Sequence, residues 1–295
     1  MTANDKPSLL ADHADMRLVS SDAEESAADR NRIVRLSSDH PGFHDQKYLL
    51  RRNQIAQIAL DYKSGQIIPD APYTKEEDEV WQSVWEALET AHREHACVEY
   101  LKCIEALDLD RKQIPQLSEI SEKINAKSGF RLEPVAGLVE PRVFLESLAQ
   151  GVFLCTQYIR HHSTPLYTPE PDVVHEIIGH AISLASPHLA ELNRLFGKAV
   201  ARTTSAEGLD HLSRIYWFTI EFGVLREAGE LKAYGTGLLS SAGELTEMHN
   251  AEILPLDLEA ASRHPYDPSK YQPILFCADS FEAMFQSLSN YLMRQ

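Results

Sequence analysis

Pro171-Asp172-Val173-Val174-His175-Glu176-Ile177-Ile178-Gly179-His180 sets two imidazoles five residues apart in an apolar segment. Further along, Ile215-Tyr216-Trp217-Phe218-Thr219-Ile220-Glu221-Phe222 carries a single carboxylate in a greasy run. Two histidines and one carboxylate are the ligand set of non-heme Fe(II) oxygenases, which keep coordination positions open. In the H-E-x-x-H pattern of zinc peptidases the histidines are four apart and share one helix face. Five apart on a regular helix, they diverge by about 140°. They converge only if His175 lies in an irregular first turn or the helix widens into a π-bulge. Pro171 and Asp172 place a helix start just before His175, which makes that geometry workable.

The histidine pair is weak evidence by itself, since 13 His in 295 residues give about 0.6 pairs at any fixed spacing by chance. His92 and His95, on a predicted helix, read as surface residues. Glu221 says more, because an ionised carboxylate in an apolar run is costly unless paired or metal-bound. Its bland reading is an ion pair with Arg160 or Arg226. The chemical reading is a divalent cation shared with His175 and His180, and both Fe(II) and zinc suit two nitrogens and one oxygen.

Composition narrows the field. Hydrophobic residues make up 43% of the chain, as in an ordinary globular protein. No window approaches 18 uninterrupted apolar residues, so no membrane span is expected. Residues 1 to about 30 are polar and lack the apolar core of a signal peptide, so a cytoplasmic location is expected. The net charge of −16 disfavours nucleic acid as a partner. Four cysteines, none in a C-x-x-C pair, read as reduced thiols, with Cys155 and Cys277 in the core.

Residues 1–38 read as a disordered polar leader and 39–295 as one compact, mostly α (α+β) domain of helices with a few short strands, without internal repeats. Apolar spacing predicts a helix over 45–64, and Thr74-Lys75-Glu76-Glu77 resembles a capping box ahead of a long helix through Ala91. Pro115 precedes a helix at about 116–127. Residues 129–137 read as extended, and 141–160 as a helix followed by a buried strand at Val152-Phe153-Leu154. Helices are expected at about 172–185, 187–203, 207–226 and 279–293. Residues 235–241 read as a small-residue loop able to approach a ligand.

Several strings together resemble the pterin-dependent aromatic amino acid hydroxylases, most closely the phenylalanine hydroxylases. They are His40-Pro-Gly-Phe43, Gly129 through Gly137, Cys155-Thr-Gln-Tyr-Ile-Arg160-His, Tyr167-Thr-Pro-Glu-Pro-Asp172 through His180, Ile215 through Gly223, and Lys232-Ala-Tyr-Gly-Thr-Gly-Leu-Leu-Ser-Ser241. The likeness is collinear over 40–295. It implies that family's fold, with Fe(II) on His175, His180 and Glu221, and a tetrahydropterin (tetrahydrobiopterin or similar) beside the metal. Phe144 would stack on the pterin, the backbone of Gly137, Leu138 and Val139 would bond its edge, and Glu176 and Tyr216 would lie near it. Arg160 would hold the carboxylate of an aromatic amino acid in its guanidinium fork, oriented by Asp172. Tyr167, Thr168, Trp217, Phe222, Gly237 and Ser240 would complete the substrate site, although a loop-capping hydroxyl is an equal reading of Ser240. In such an enzyme O2 is divided, one atom leaving on the pterin and the other entering the substrate ring.

Phenylalanine, converted to tyrosine, is the expected substrate. Trp217 narrows the pocket where tryptophan hydroxylases typically carry Phe, and Tyr167-Thr168 resembles the phenylalanine enzymes more than the His-Ser of tyrosine hydroxylases. Glu170 agrees with para hydroxylation. Meta hydroxylation to meta-tyrosine, as in some relatives, and tryptophan or tyrosine as substrate are the alternatives within the family. A zinc hydrolase or a metal-free binding protein are the alternatives outside it. About 38 polar residues stand where animal enzymes of the family carry a regulatory domain, and the chain stops at Gln295, so a monomer or dimer is expected.

Overall fold

A computed structural model describes residues 33–295. The expected leader therefore lies, through residue 32, outside the described residues. Its last stretch, residues 33–38, lies against α1 (Gln46–Asp61): the Ile33 and Val34 N–H groups donate to Asn53 Oδ1, both at 3.0 Å, and Val34 is buried.

The helices form where the sequence places start signals. Asp45 caps α1 by accepting from the Lys47 and Tyr48 N–H groups. The capping box is present: Thr74 and Glu77 bond each other's backbone N–H groups at the start of α2 (Lys75–His95). Val80, Trp81, Val84, Trp85, Leu88 and Ala91 bury the inner face of α2. The chain then turns at Ala96, whose bridge to Ala233 interrupts the helical pattern, and α3 (Val98–Leu107) follows as a separate helix. α4 (Leu117–Ser128) starts after Pro115 and ends at Gly129 with φ 75°, the left-handed C-cap that glycine adopts at little cost.

The extended segment, helix and buried strand expected over 129–160 are present as β1 (Arg131–Val135), α5 (Pro141–Leu148) and β2 (Val152–Thr156), and the structure adds that the two strands pair in parallel around the helix. Both strands bury their central residues, and β2 is buried along its whole length. The next segment is a π turn, His175–Ala181, running into α6 (Ile182–Leu184). α7 (Pro187–Arg202) starts at the Ser186 cap, and α8 (Ala206–Tyr216) at the Ser205 cap. A second π turn, Trp217–Glu221, ends α8.

Here the structure departs from the sequence expectation. The helix predicted over 207–226 stops at Glu221, and β3 (Val224–Glu227) turns back through Ala228 and Gly229 into β4 (Glu230–Ala233). Both turn residues have positive φ, 51° and 83°, the two-residue hairpin geometry that matches strand twist. The segment 235–241 is a short helix, α9 (Thr236–Leu239), rather than a loop. α10 (Ala242–Glu247), β5 (Glu252–Pro255), α11 (Leu258–Ala261), β6 (Ile274–Ala278) and α12 (Phe281–Leu292) complete the chain. The strands join as β4-β3-β6-β5, with β3–β6 and β5–β6 parallel. All four cysteines are free and buried. No helix among the described residues is long and apolar enough to cross a membrane.

Candidate metal centre and its pocket

Both π turns sit where the site needs them. In the first, the Ile182 N–H bonds the Ile177 carbonyl five residues back, and in the second the Phe222 N–H bonds Trp217 at 2.9 Å. A five-residue ladder stacks residues i and i+5 on one face, so His175 and His180 face each other, Nε2 to Nε2, at 3.1 Å. Widening frees carbonyls from regular bonding, and side chains take them up. The Tyr100 hydroxyl on α3 donates to Ile178 O at 2.6 Å, Ser183 to Gly179 O at 2.8 Å, and Thr219 to Ile215 O at 2.5 Å. Gly179 lets the first π turn lie on α9; a Cβ there would stand 2.7 Å from Thr236 O.

Glu221 completes the group. Its Oε1 is 3.1 Å from His180 Nε2 and its Oε2 3.7 Å from His175 Nε2. Two ligands bonded at about 2.1 Å to one ion stand about 3.0 Å apart in octahedral and about 3.4 Å apart in tetrahedral geometry. The two 3.1 Å contacts match the octahedral value, the 3.7 Å contact runs to the other carboxylate oxygen, and one donor atom from each residue lies within 4.8 Å of the others, close enough for one divalent ion to draw together. Among the described residues, no arginine partners Glu221. Arg160, one of the two expected candidates, is engaged by Asp172 instead.

Hydrogen bonds fix the ligand protonation. Ser240 Oγ donates to Thr236 O at 2.8 Å, so at 2.9 Å it accepts from His175 Nδ1–H. That places the His175 proton on Nδ1 and leaves the Nε2 lone pair toward Glu221. Thr236 Oγ1 donates to Glu221 Oε2 at 2.9 Å. Burial, helped by the neighbouring His180, holds His175 down at about 4, a neutral ligand. Burial works against charge on both His180 and Glu221, but their mutual attraction prevails: His180 is raised and Glu221 lowered to about 2. His180 Nδ1 is buried without a partner. The His180 side chain is 2% exposed and Glu221 12%, while His175 keeps 19%, so the group opens on one flank.

Around this centre, Phe153 of β2 lies 4.5 Å from the His180 ring. Phe144 on α5 meets Phe153 edge-on at 5.4 Å and Tyr216 at 6.1 Å, a continuous aromatic wall. The Tyr216 hydroxyl bonds Asn193 Oδ1 at 3.1 Å. Glu176 Oε1 accepts from the Thr156 N–H and hydroxyl at 3.2 and 3.0 Å, and burial raises its pKa to about 7. Gly137, Leu138 and Val139 form the open connection from β1 to α5; Leu138 is exposed, and a Cβ on Gly137 would meet nothing.

On the other side, Asp172 grips Arg160 in a fork, Oδ2 to Nε at 2.9 Å and Oδ1 to Nη2 at 2.7 Å, and also accepts the Arg160 N–H. Asp172 Oδ1 receives the His175 N–H too, at 3.3 Å, which ties this pair to the first π turn. Trp217 packs on Phe222 at 4.5 Å. Gly237 allows Phe222 to lie close, since a Cβ would stand 2.7 Å from Phe222 Cζ. Two expected clamp hydroxyls have other partners: Thr168 donates to Glu170 O at 2.9 Å, and Ser240 serves His175. Tyr167 is exposed. His92 is no surface residue: it is buried and Nε2 bonds Leu239 O at 2.6 Å. Thr236, Thr156 and Phe153 escaped the sequence reading as site residues, because a lone Thr or Phe on a buried face carries no chemical signature.

A second group of possible metal donors among the described residues, Asp45, His161 and His162, is explained without an ion. His161 is already held at both nitrogens, by Ser163 at 2.7 Å and Asp45 at 3.2 Å.

A family model described as biopterin-dependent aromatic amino acid hydroxylase matches residues 27–294. Tyrosine 3-monooxygenase of Mus musculus is 44% identical over 265 residues, 88% of this chain and 53% of that protein. Phenylalanine-4-hydroxylase of Bos taurus is 42% identical over 262 residues, 87% of this chain and 58% of that one. A crystal structure of Chromobacterium violaceum phenylalanine hydroxylase with bound iron(III) and oxidised 7,8-dihydrobiopterin superposes with a TM-score of 0.72 at 27% identity, covering 81% of this chain and 90% of that one. The chain thus spans just over half the length of the curated relatives it matches.

Proposed function

The chain belongs to the biopterin-dependent aromatic amino acid hydroxylases, and from that premise we propose that it hydroxylates the ring of L-phenylalanine to give tyrosine, using Fe(II), O2 and a tetrahydropterin. One observation carries the reading: three acceptor atoms on two π turns, within one ion's reach, beside a buried Arg160–Asp172 fork. The same observation argues against a zinc peptidase, whose histidines need four-residue spacing on a regular helix.

Bound iron and reduced pterin supply the activation of O2. The remaining work falls to side chains. His175, His180 and Glu221 hold the metal, and Ser240 keeps the His175 proton on Nδ1. Phe144, backed by the buried Phe153 and Tyr216, offers the pterin ring an apolar face, with the Gly137–Val139 backbone open to its edge. Glu176 stands next to His175 as a further polar contact. Arg160, fixed by Asp172 on its Nε–Nη2 edge and touching Pro165 O through Nη1 at 3.5 Å, turns its remaining N–H groups to the amino acid carboxylate. Trp217 and Phe222 wall the substrate ring and exclude water, which raises the fraction of productive orientations.

Substrate choice within the family is the finer proposal. Relatives named for tyrosine and for phenylalanine are about equally similar, 44% and 42%, so identity does not choose. Trp217 and the Tyr167-Thr168 pair support phenylalanine; Glu170 supports the para carbon. We further propose a cytoplasmic monomer or dimer. The test is incubation with Fe(II), tetrahydropterin, O2 and each aromatic amino acid, with product position read by NMR. Tyrosine from phenylalanine is expected. Meta-tyrosine as the sole product, or turnover of tyrosine with none of phenylalanine, would overturn the assignment.

A further inference from the structure

We propose that Gln272 is a specificity-determining positioning residue: its amide fixes the Trp217 indole and the loop that backs it, and so sets the ring size the pocket accepts. The inference rests on the reading above that Trp217 walls the substrate ring.

Gln272 is 6% exposed and spends every polar side-chain atom. Its Oε1 accepts from Trp217 Nε1 at 3.0 Å. Its Nε2 donates twice, to Asp267 O at 3.1 Å and Lys270 O at 2.9 Å. Its backbone N–H donates to Glu244 Oε1 at 2.8 Å. The side-chain amide therefore joins the second π turn to the loop between α11 and β6, and the backbone N–H of the same residue ties it to α10. The loop has reason to need such a tie. Tyr266 and Tyr271 at its ends are 38% and 56% exposed, and its internal bonds are short-range ones from Asp267 to Ser269 and Lys270.

The tie reaches the pocket because of what Tyr266 does. Its ring stacks on Trp217 at 4.3 Å with 19° between planes, while Phe222 lies 4.5 Å away at 37°. The indole is thus bounded by two rings, one on the loop and one on the π turn, and its single polar atom is held by Gln272. An indole has one N–H and, once that bond is gone, packing alone sets its tilt. Trp217 lies four residues before Glu221 in the same π turn, so its tilt bears directly on the space next to the metal.

Three variants separate positioning from general support. Gln272→Met removes the acceptor and both donors. Gln272→Glu keeps an acceptor for the indole and removes both loop donors. Trp217→Phe removes the indole N–H but leaves the loop bonds to Asp267 and Lys270, so adding Gln272→Met to it should change selectivity less than in the wild-type background. The readouts are the ratio of kcat/KM for phenylalanine to that for tryptophan, and acrylamide quenching of tryptophan emission without substrate. Trp81 and Trp85 are buried, so quenching reports Trp217. Gln272→Met should lower the ratio about three- to tenfold, the order a lost neutral hydrogen bond carries, mostly through KM, and should raise quenching; Gln272→Glu should fall between. An unchanged ratio, or an equal change in the Trp217→Phe background, overturns the proposal. If the wild-type protein hydroxylates no amino acid, the functional reading fails instead. Quenching then decides the brace: higher in Gln272→Met supports it, and equal to wild type sinks it.

Discussion

Ser240→Ala tests whether the protonation of the metal site is built into the fold. Ser240 gives its hydrogen to Thr236 O at 2.8 Å and so can only accept from His175 Nδ1, at 2.9 Å. Removing the hydroxyl leaves Thr236 O satisfied, because the Ser240 N–H also bonds it at 3.1 Å. The loss falls on His175 alone. Without metal, the imidazole can move its proton to Nε2, toward the Glu221 carboxylate, and escape the penalty. With metal it cannot, since the ion needs the Nε2 lone pair and an Nδ1–H then stands buried and unpaired. An unpaired buried donor costs about 1–3 kcal/mol. That corresponds to about a 5–150-fold loss of metal affinity, which brackets the roughly 10–100-fold typical of partners of metal-bound histidines. The assay is anaerobic competition for Fe(II) against a chelator, with the melting temperature of the metal-free protein as control. Affinity within twofold of wild type, or a metal-free melting temperature that falls as far as the loaded one, refutes the reasoning.

Other perturbations probe other parts. Arg160→Lys keeps the charge but cannot fill the two-pronged Asp172 contact; the KM for the amino acid should rise about tenfold or more with kcat much less affected, read by steady-state kinetics. Tyr100→Phe leaves Ile178 O without its donor inside the first π turn and should destabilise the metal-free protein by about 1–3 kcal/mol, measured by urea denaturation. Glu244 has its pKa raised by burial to about 7, and among the described residues no cation pairs with it. A raised carboxyl favours the folded state while protonated, so the stability it carries is present at acid pH and lost as pH rises through about 7. Glu244→Gln should therefore melt higher than wild type at pH 8, with the gap closing toward pH 4; a gap that does not vary with pH refutes this.

Much of the site was legible because chemistry constrains spacing. Two histidines five apart could meet only through an irregular first turn or a widened one, and a buried carboxylate needed a counter-charge; the structure takes the widened turn and sets His175, His180 and Glu221 close together. The capping box at Thr74 was equally readable, being a local reciprocal bond. What escaped was non-local. β3 and β4 are four residues each, too short for a period to show, and β6 pairs with β3 some fifty residues away in sequence. The hairpin turn Ala228-Gly229 lacks the Asn-Gly signal. His92 was misread although its position held the clue: it continues the Trp81, Trp85, Leu88 stripe of α2, and a histidine there is buried whatever its polarity. Ser240 was visible as a loop hydroxyl, but only the folded chain shows that its partner is His175.

Both helices that carry the candidate ligands have one residue more than an ordinary helix of the same span would use. Length, rather than composition, is then the quantity that heredity must preserve there. Loss of one codon within 176–179 or 217–220 would leave His175, His180 and Glu221 encoded and the coil tidier, yet would swing one of them away from the other two. Exchanges among apolar residues such as Ile177 or Ile220 would only retune packing. These two short stretches should accordingly tolerate spelling changes far better than any change in letter count.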